Sequence, residues 1–187
     1  MKLFRNVEIE SDNFQLGDVI QFSLKTGEEA EAMAVKKTDE GMIFCFIDCL
    51  KDEYSMNTRD TNKGGYEKSN LRKLLNDGIL KQFPDELVSM MKPFSNGDKL
   101  RIPTEKEIFG ENWYGKNEDE NIQQWEPMKD RRNRIAFQGS KSNILEWYWL
   151  QNVKKDSASH FAGVSSDGDC ASAGAGFSYG VRPAFQI

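Results

Sequence analysis

With 187 residues, of which 38% are hydrophobic and 11% aromatic, the chain can bury a sizeable core without disulfide or metal staples, and its composition excludes a disordered polymer. A formal charge of -5 and a pI near 5.1 exclude a general affinity for phosphate backbones, which needs clustered Lys and Arg, so no nucleic-acid partner is expected. No run approaches the roughly 20 apolar residues that span a bilayer, and Met1 to Glu10 lacks the apolar centre of a secretion signal, so a cytoplasmic setting, or export without a Sec signal, is expected, without membrane insertion.

The first half begins as antiparallel β structure. Ile20, Phe22 and Leu24 alternate with polar residues, which predicts a half-buried strand, and Lys25-Thr26-Gly27-Glu28 follows as a turn. A second strand is predicted over about Glu31 to Lys37. Thr38-Asp39-Glu40-Gly41 then turns the chain into Met42-Ile43-Phe44-Cys45-Phe46-Ile47, whose nearly unbroken apolar character places it inside a sheet. Short helices come next. Ser69 can cap one carrying Leu71, Leu74 and Leu75 on its inward face, with Asp77-Gly78 as its stop. Pro84 opens another, with Asp85 and Glu86 in its first turn and Leu87, Met90 and Met91 facing inward until Pro93 ends it. Thr104-Glu105-Lys106-Glu107 has the form of a capping box, and Gly110 closes that helix.

Residues Glu111 to Asn143 show weak periodicity, which predicts a long irregular excursion with one short helix, ordered by inward packing of Trp113, Tyr114 and Trp125. Within it, Lys129 to Arg134 is basic but interrupted by Asp130 and preceded by Glu126, the pattern of a solvated or salt-bridged face. The C-terminal part returns to β structure: Trp147 to Leu150, then Phe161 to Val164, a turn over Ser165 to Asp169 signalled by Asp167-Gly168, and a closing strand through Tyr179 to Phe185. Trp147 and Trp149 read mostly as core.

Gly17-Asp18-Val19-Ile20-Gln21-Phe22, the Ser69 to Asn76 helix, Leu100 to Phe109, and the ending Trp147-Tyr148-Trp149-Leu150, Ala162-Gly163-Val164, Ser166-Asp167-Gly168 and Tyr179-Gly180-Val181-Arg182-Pro183-Ala184-Phe185 occur in order over about Leu16 to Ile187. Together they resemble a bacterial and phage family of domains, DUF6273. The resemblance implies one domain over residues 1–187 with an α+β, C-type-lectin-like fold: antiparallel sheets, two or three short helices and the long irregular excursion. It implies kinship with formylglycine-generating-enzyme-type domains and with the variable proteins of diversity-generating retroelements, whose C-terminal part displays ligand-contacting side chains. It also adds a phage-associated setting to the cytoplasmic one. Gln151-Asn152 stands where many relatives carry an Arg-Ser-Pro-like sequence, and Cys170 to Ser178 is rich in Ala and Gly, both departures from an aromatic-rich binding face.

No residue set makes an enzyme site. His160 is the single histidine, and the nearest nucleophiles, Ser157 and Ser159, share its loop without a context that would activate them. With 30 Asp plus Glu, some carboxylate pair qualifies for glycosidase chemistry by accident. Cys45 and Cys49, about 13 Å apart if four residues of strand separate them, and the isolated Cys170 read as reduced thiols, without the pairing that copper chemistry of the formylglycine type needs. Asp167 and Asp169 supply two oxygens where calcium takes six to eight. Gly64-Gly65 and Gly174-x-Gly176 lack the strand and helix context of a phosphate loop. Arg182 reads as structural, a guanidinium holding a buried carboxylate.

The sequence therefore predicts a non-catalytic recognition module, without cofactor or metal, for a protein or glycan ligand. Its face is formed by Gln151 to Phe161 and Ser165 to Ser178. Asn152, Lys154, Asp156, Ser157, Ser159 and His160 are expected to supply hydrogen bonds, Phe161 or Tyr179 an apolar anchor, and Gln151, Asp167 and Asp169 further contacts. The alternatives are a phage- or prophage-type assembly subunit that forms a homo-oligomer and, less favoured, a hydrolase using an acidic pair in the excursion.

Overall fold

The computed structural model describes residues 13–115 and 121–187; Met1 to Glu10, read above for a secretion signal, lie outside the described residues. The chain is mixed α+β with antiparallel sheets and few helices. Strands β1 (Val19–Ser23), β2 (Glu29–Thr38) and β3 (Gly41–Phe46) form a meander, and β11 (Ala184–Gln186) returns beside β3, giving the order β1-β2-β3-β11. The apolar run of β3 is interior, as its composition predicts, and it buries both faces. Met42, Phe44 and Phe46 enter one core while Ile43 and Cys45 enter another. Across from it, Phe185 stacks on Phe44 with centroids 5.8 Å apart.

Helix α1 (Asn70–Asp77) is capped by Ser69, whose hydroxyl accepts from the Arg72 N–H, and α3 (Glu105–Phe109) carries the predicted capping box between Thr104 and Glu107. Between them, α2 (Asp85–Met90) begins after Pro84. The expected inward faces are narrower than read. Leu71, Leu75 and Met91 are buried, whereas Leu74 and Met90 are exposed, because each of these short helices presents only one row of side chains to the core. Among its described residues the excursion contains two 3-10 turns, Glu126–Lys129 and Arg131–Arg134, and strand β5 (Ala136–Phe137), which pairs with β6 (Leu145–Glu146) just beyond it. Trp125 packs inward as expected and Tyr114 partly so, but Trp113 is 58% exposed.

The second main sheet is the hairpin set β7 (Tyr148–Val153), β8 (His160–Val164) and β9 (Cys170–Gly174), in that order. Strand β9 lies where the sequence reads as loop, and it is supported by backbone pairing to β8 rather than by large apolar side chains. The closing strand is correspondingly shorter than expected. Only Ser178–Tyr179 (β10, paired with β4 at Tyr54–Ser55) and Ala184–Gln186 form strand, separated by Gly180–Pro183. Trp149 and Phe161 face the first core while Tyr148, Leu150, Ala162 and Val164 face the second, so both main sheets are shared between the two cores.

Arg182 is buried, but its partner is not a carboxylate. Its guanidinium donates to Phe46 O (2.9 Å), Asn133 O (3.1 Å) and Tyr148 Oη (3.0 Å), and lies 4.9 Å from the Tyr148 ring. Two backbone carbonyls and a phenol oxygen do the work of a counter-ion. Among the described residues no helix is long and apolar enough to cross a membrane.

Candidate functional site

The residues of the expected face separate into structural and accessible sets. Asn152 is buried: its Oδ1 accepts the Glu105 N–H (2.8 Å), tying β7 to the start of α3. Phe161 is fully buried in the first core, so the apolar anchor expected there is a core side chain. Its neighbour in the strand, His160, points to the opposite face because strand side chains alternate. Gln151 Nε2 donates to Ile102 O (2.5 Å). Tyr179 is half-buried between Trp147 (5.8 Å, stacked) and Trp149 (5.2 Å, edge-on). Asp167 and Asp169 both pair with Arg131, at 3.3 and 2.9 Å, which fastens the β8–β9 turn to the second 3-10 turn. A hydrogen bond from Ser165, then one from its own backbone, then the Arg131 charge hold the Asp167 carboxyl below its ordinary range. Two more cations of the basic run are paired as well, Lys129 with Glu126 and Arg132 with Asp130.

Lys154, Asp156, Ser157, Ser159 and His160 remain at or near the surface. Ser157 and Ser159 hydroxyls lie 3.1 and 3.0 Å from the same His160 nitrogen, Nδ1, and Asn62 Nδ2 donates to the carbonyls of Ser157 and His160, at 2.8 and 3.0 Å. This is the geometry of a tied-down loop. Two serines compete for one ring nitrogen, and no carboxylate among the described residues is hydrogen-bonded to the other, so the arrangement lacks the orienting third group of a nucleophilic site.

Beside this loop the structure adds residues that sequence reading left out. Glu105, the first residue of α3, is fully buried yet accepts the N–H groups of Tyr114 (3.0 Å) and Gly115 (2.6 Å) and the Cys170 thiol (3.2 Å). A Cβ on Gly115 would sit 2.6 Å from Glu105 Oε2, so a residue without a side chain is needed for that approach. Burial, reinforced by the Glu105 carboxylate, raises the Cys170 pKa well above the ordinary thiol value and keeps it a proton donor. Burial likewise pushes Cys45 up to about 11, and Cys45 and Cys49 are free, buried thiols.

The Glu105 knot places Tyr114 under Lys154, whose Nζ lies 4.9 Å from the ring and donates to Ser172 on β9 (3.1 Å). Next to Tyr114 opens a cleft of about 420 Å³ lined by Phe109, Glu111, Trp113, Tyr114, Arg134, Asp169 and Cys170. It rests on α3 and the edge of the C-terminal sheet, and Trp113 stands at it 58% exposed. The Arg134 guanidinium lies 5.2 Å over Phe109 and, among the described residues, makes neither an ion pair nor a hydrogen bond. A second, larger cleft of about 950 Å³ lies between the β1–β2 turn, Leu50 to Tyr54 and the Gln138 to Ile144 loop. From sequence Trp113 reads as packing inward to order the excursion; only the polar Glu111-Asn112 before it and the weak periodicity around it mark it otherwise. Among the described residues no group of three or more His, Cys, Asp or Glu could hold a metal ion.

Comparison with known proteins finds one family model, the domain of unknown function DUF6273, matching residues 40–187. No curated protein and no solved structure matches the chain.

Proposed function

The chain belongs to the DUF6273 family, and we propose that it is a non-catalytic recognition module, a single domain of C-type-lectin-like fold that presents a surface on its C-terminal sheet to a protein or glycan ligand. The observation that carries this reading is Trp113, a 58% exposed aromatic beside a cleft whose walls are held by the buried Glu105. Covering a large exposed ring returns solvation free energy to a ligand that packs on it, and rigid aromatic anchors on a fixed frame are the usual centre of a recognition surface. The binding face is therefore shifted from the one expected. Lys154 and Asp169 stay in it, Trp113, Tyr114 and Arg134 join it, and Phe161 and Asn152 leave it. Immobilised wild-type protein should retain a ligand from envelope and lysate fractions that the Trp113→Ala variant does not retain, with both proteins unfolding at the same temperature. Equal retention by the two, or none by either, overturns the reading.

A second reading, an assembly subunit that forms a homo-oligomer in a phage or prophage setting, is favoured by one feature. Ile144 and Leu145 are adjacent on the surface at 58% and 51% exposure. Sedimentation that shifts with concentration in the wild type and not in Leu145→Ser would put it ahead.

A further inference from the structure

We infer that the ligand of the Trp113 cleft is a carboxylated sugar, a uronic-acid unit of a glycan; this rests on the recognition reading above and narrows it. Three features of the cleft have to be satisfied together. Trp113 offers an exposed flat ring, with Phe109 and Tyr114 as further apolar lining. Glu111 and Asp169 supply carboxylate oxygens, which accept hydrogen bonds only. Among the described residues, Arg134 supplies a guanidinium whose donors make no hydrogen bond, although its Nε is buried, and which has no carboxylate oxygen within 4 Å. Among the described residues it forms no ion pair, its charge reaching Asp130 at longer range, although Glu111 and Asp169 line the same cleft, and Asp169 is already committed to Arg131 at 2.9 Å.

Simpler ligands satisfy only part of this set. A purely apolar group would cover Trp113 and strand the carboxylates and the guanidinium in a drier site, which is costly. A poly-acidic peptide would answer Arg134 and face repulsion from Glu111 and Asp169. A neutral sugar would stack its C–H face on Trp113 and donate hydroxyls to the two carboxylates, but would bring no anion to Arg134. A uronic acid does all three: a ring face for the indole, hydroxyl donors for Glu111 and Asp169, and a carboxylate in the two-pronged geometry that guanidinium groups bind best. A volume of about 420 Å³ accommodates one to two such rings.

The test is calorimetric titration of the whole chain with trigalacturonate, maltotriose and triglutamate in parallel. Saturable one-to-one binding of trigalacturonate is expected, at least tenfold tighter than maltotriose and weakened by added salt, with no binding of triglutamate. Arg134→Gln should erase the preference for trigalacturonate over maltotriose, and Trp113→Ala should abolish binding of both. Because Arg134 also covers Phe109, Arg134→Lys serves as a second variant that keeps the charge; it should retain part of the preference. Equal binding of maltotriose and trigalacturonate, unchanged in Arg134→Gln, overturns the acidic-sugar assignment and leaves the recognition reading standing. Tighter binding of triglutamate overturns the sugar itself. Binding of all probes unchanged in Trp113→Ala, or binding of none, removes the cleft as the sugar site.

Discussion

Arg182 and Glu146 show how opposite charges are handled when each is buried without a salt bridge among the described residues. Arg182 spreads its donors over two carbonyls and a phenol, and the Tyr148 phenol, raised to about 12 chiefly by burial, remains a neutral partner at any physiological pH. Glu146 is worse placed. It is 8% exposed, accepts the Trp147 N–H, and has the Glu53 carboxylate as its neighbour. Burial first and Glu53 second raise its pKa above the ordinary carboxylate value. The folded state therefore holds the proton more tightly than the unfolded chain does. The stability this contributes is fully present below the unfolded pKa and is lost as the pH rises through the folded one. Glu28 and Asp48, also raised chiefly by burial, act with the same sign. Glu146→Gln keeps an acceptor for Trp147 and removes the charge. It should melt above wild type at pH 7 and together with it at about pH 3, below the ordinary carboxylate range; a difference of the same size at both values would mean that charge is not the cause.

At the scale of elements, α3 is the piece on which the proposed site depends. Its capping box was legible because Thr104 and Glu107 satisfy backbone donors within one turn, and local chemistry of that kind leaves a sequence signature. What Glu105 does was not legible: its three donors come from Tyr114, Gly115 and Cys170, up to 65 positions away, and a carboxylate in a first helical turn ordinarily reads as a dipole partner. Hydrogen bonds to a charged group contribute about 1.5–3 kcal/mol each, and a buried donor left without an acceptor costs a similar amount. Glu105→Gln would turn an amide NH₂ toward one of these donors, so a loss of about 3 kcal/mol is expected in urea unfolding at unchanged m-value. A loss below about 1 kcal/mol would show that the loop is held by other contacts. The strands divide in the same way. Ile20, Phe22 and Leu24 announce β1 by alternation and the β3 run announces a strand covered on both faces. Cys170–Gly174, built of small residues, carries no pattern because its order comes from pairing with β8.

Over the whole molecule, two cores share two sheets, and that arrangement decides which aromatic side chains are available to a ligand. A strand buried on both faces has no outward side, so a site on these sheets has to be built at their edges and in the loops beside them. Sequence reading expects the face on Gln151 to Phe161 and Ser165 to Ser178, and it exchanges the burial of two aromatics. Phe161 follows a polar loop and looked available, while Trp113 lies among polar residues and looked as though it must order them. Burial on a shared sheet is a property of the assembled molecule and neither residue's neighbours report it. The consequence is measurable as a crossed pair of effects. Phe161 is fully buried in the first core, so Phe161→Ala should cost about 3–5 kcal/mol through lost transfer free energy and an unfilled cavity. Trp113 is 58% exposed, so Trp113→Ala should change stability by no more than about 0.5 kcal/mol while removing ligand binding. Chemical unfolding of the two variants beside a binding titration separates the roles. A Trp113→Ala loss as large as that of Phe161→Ala would return the indole to the core and leave the cleft without its platform.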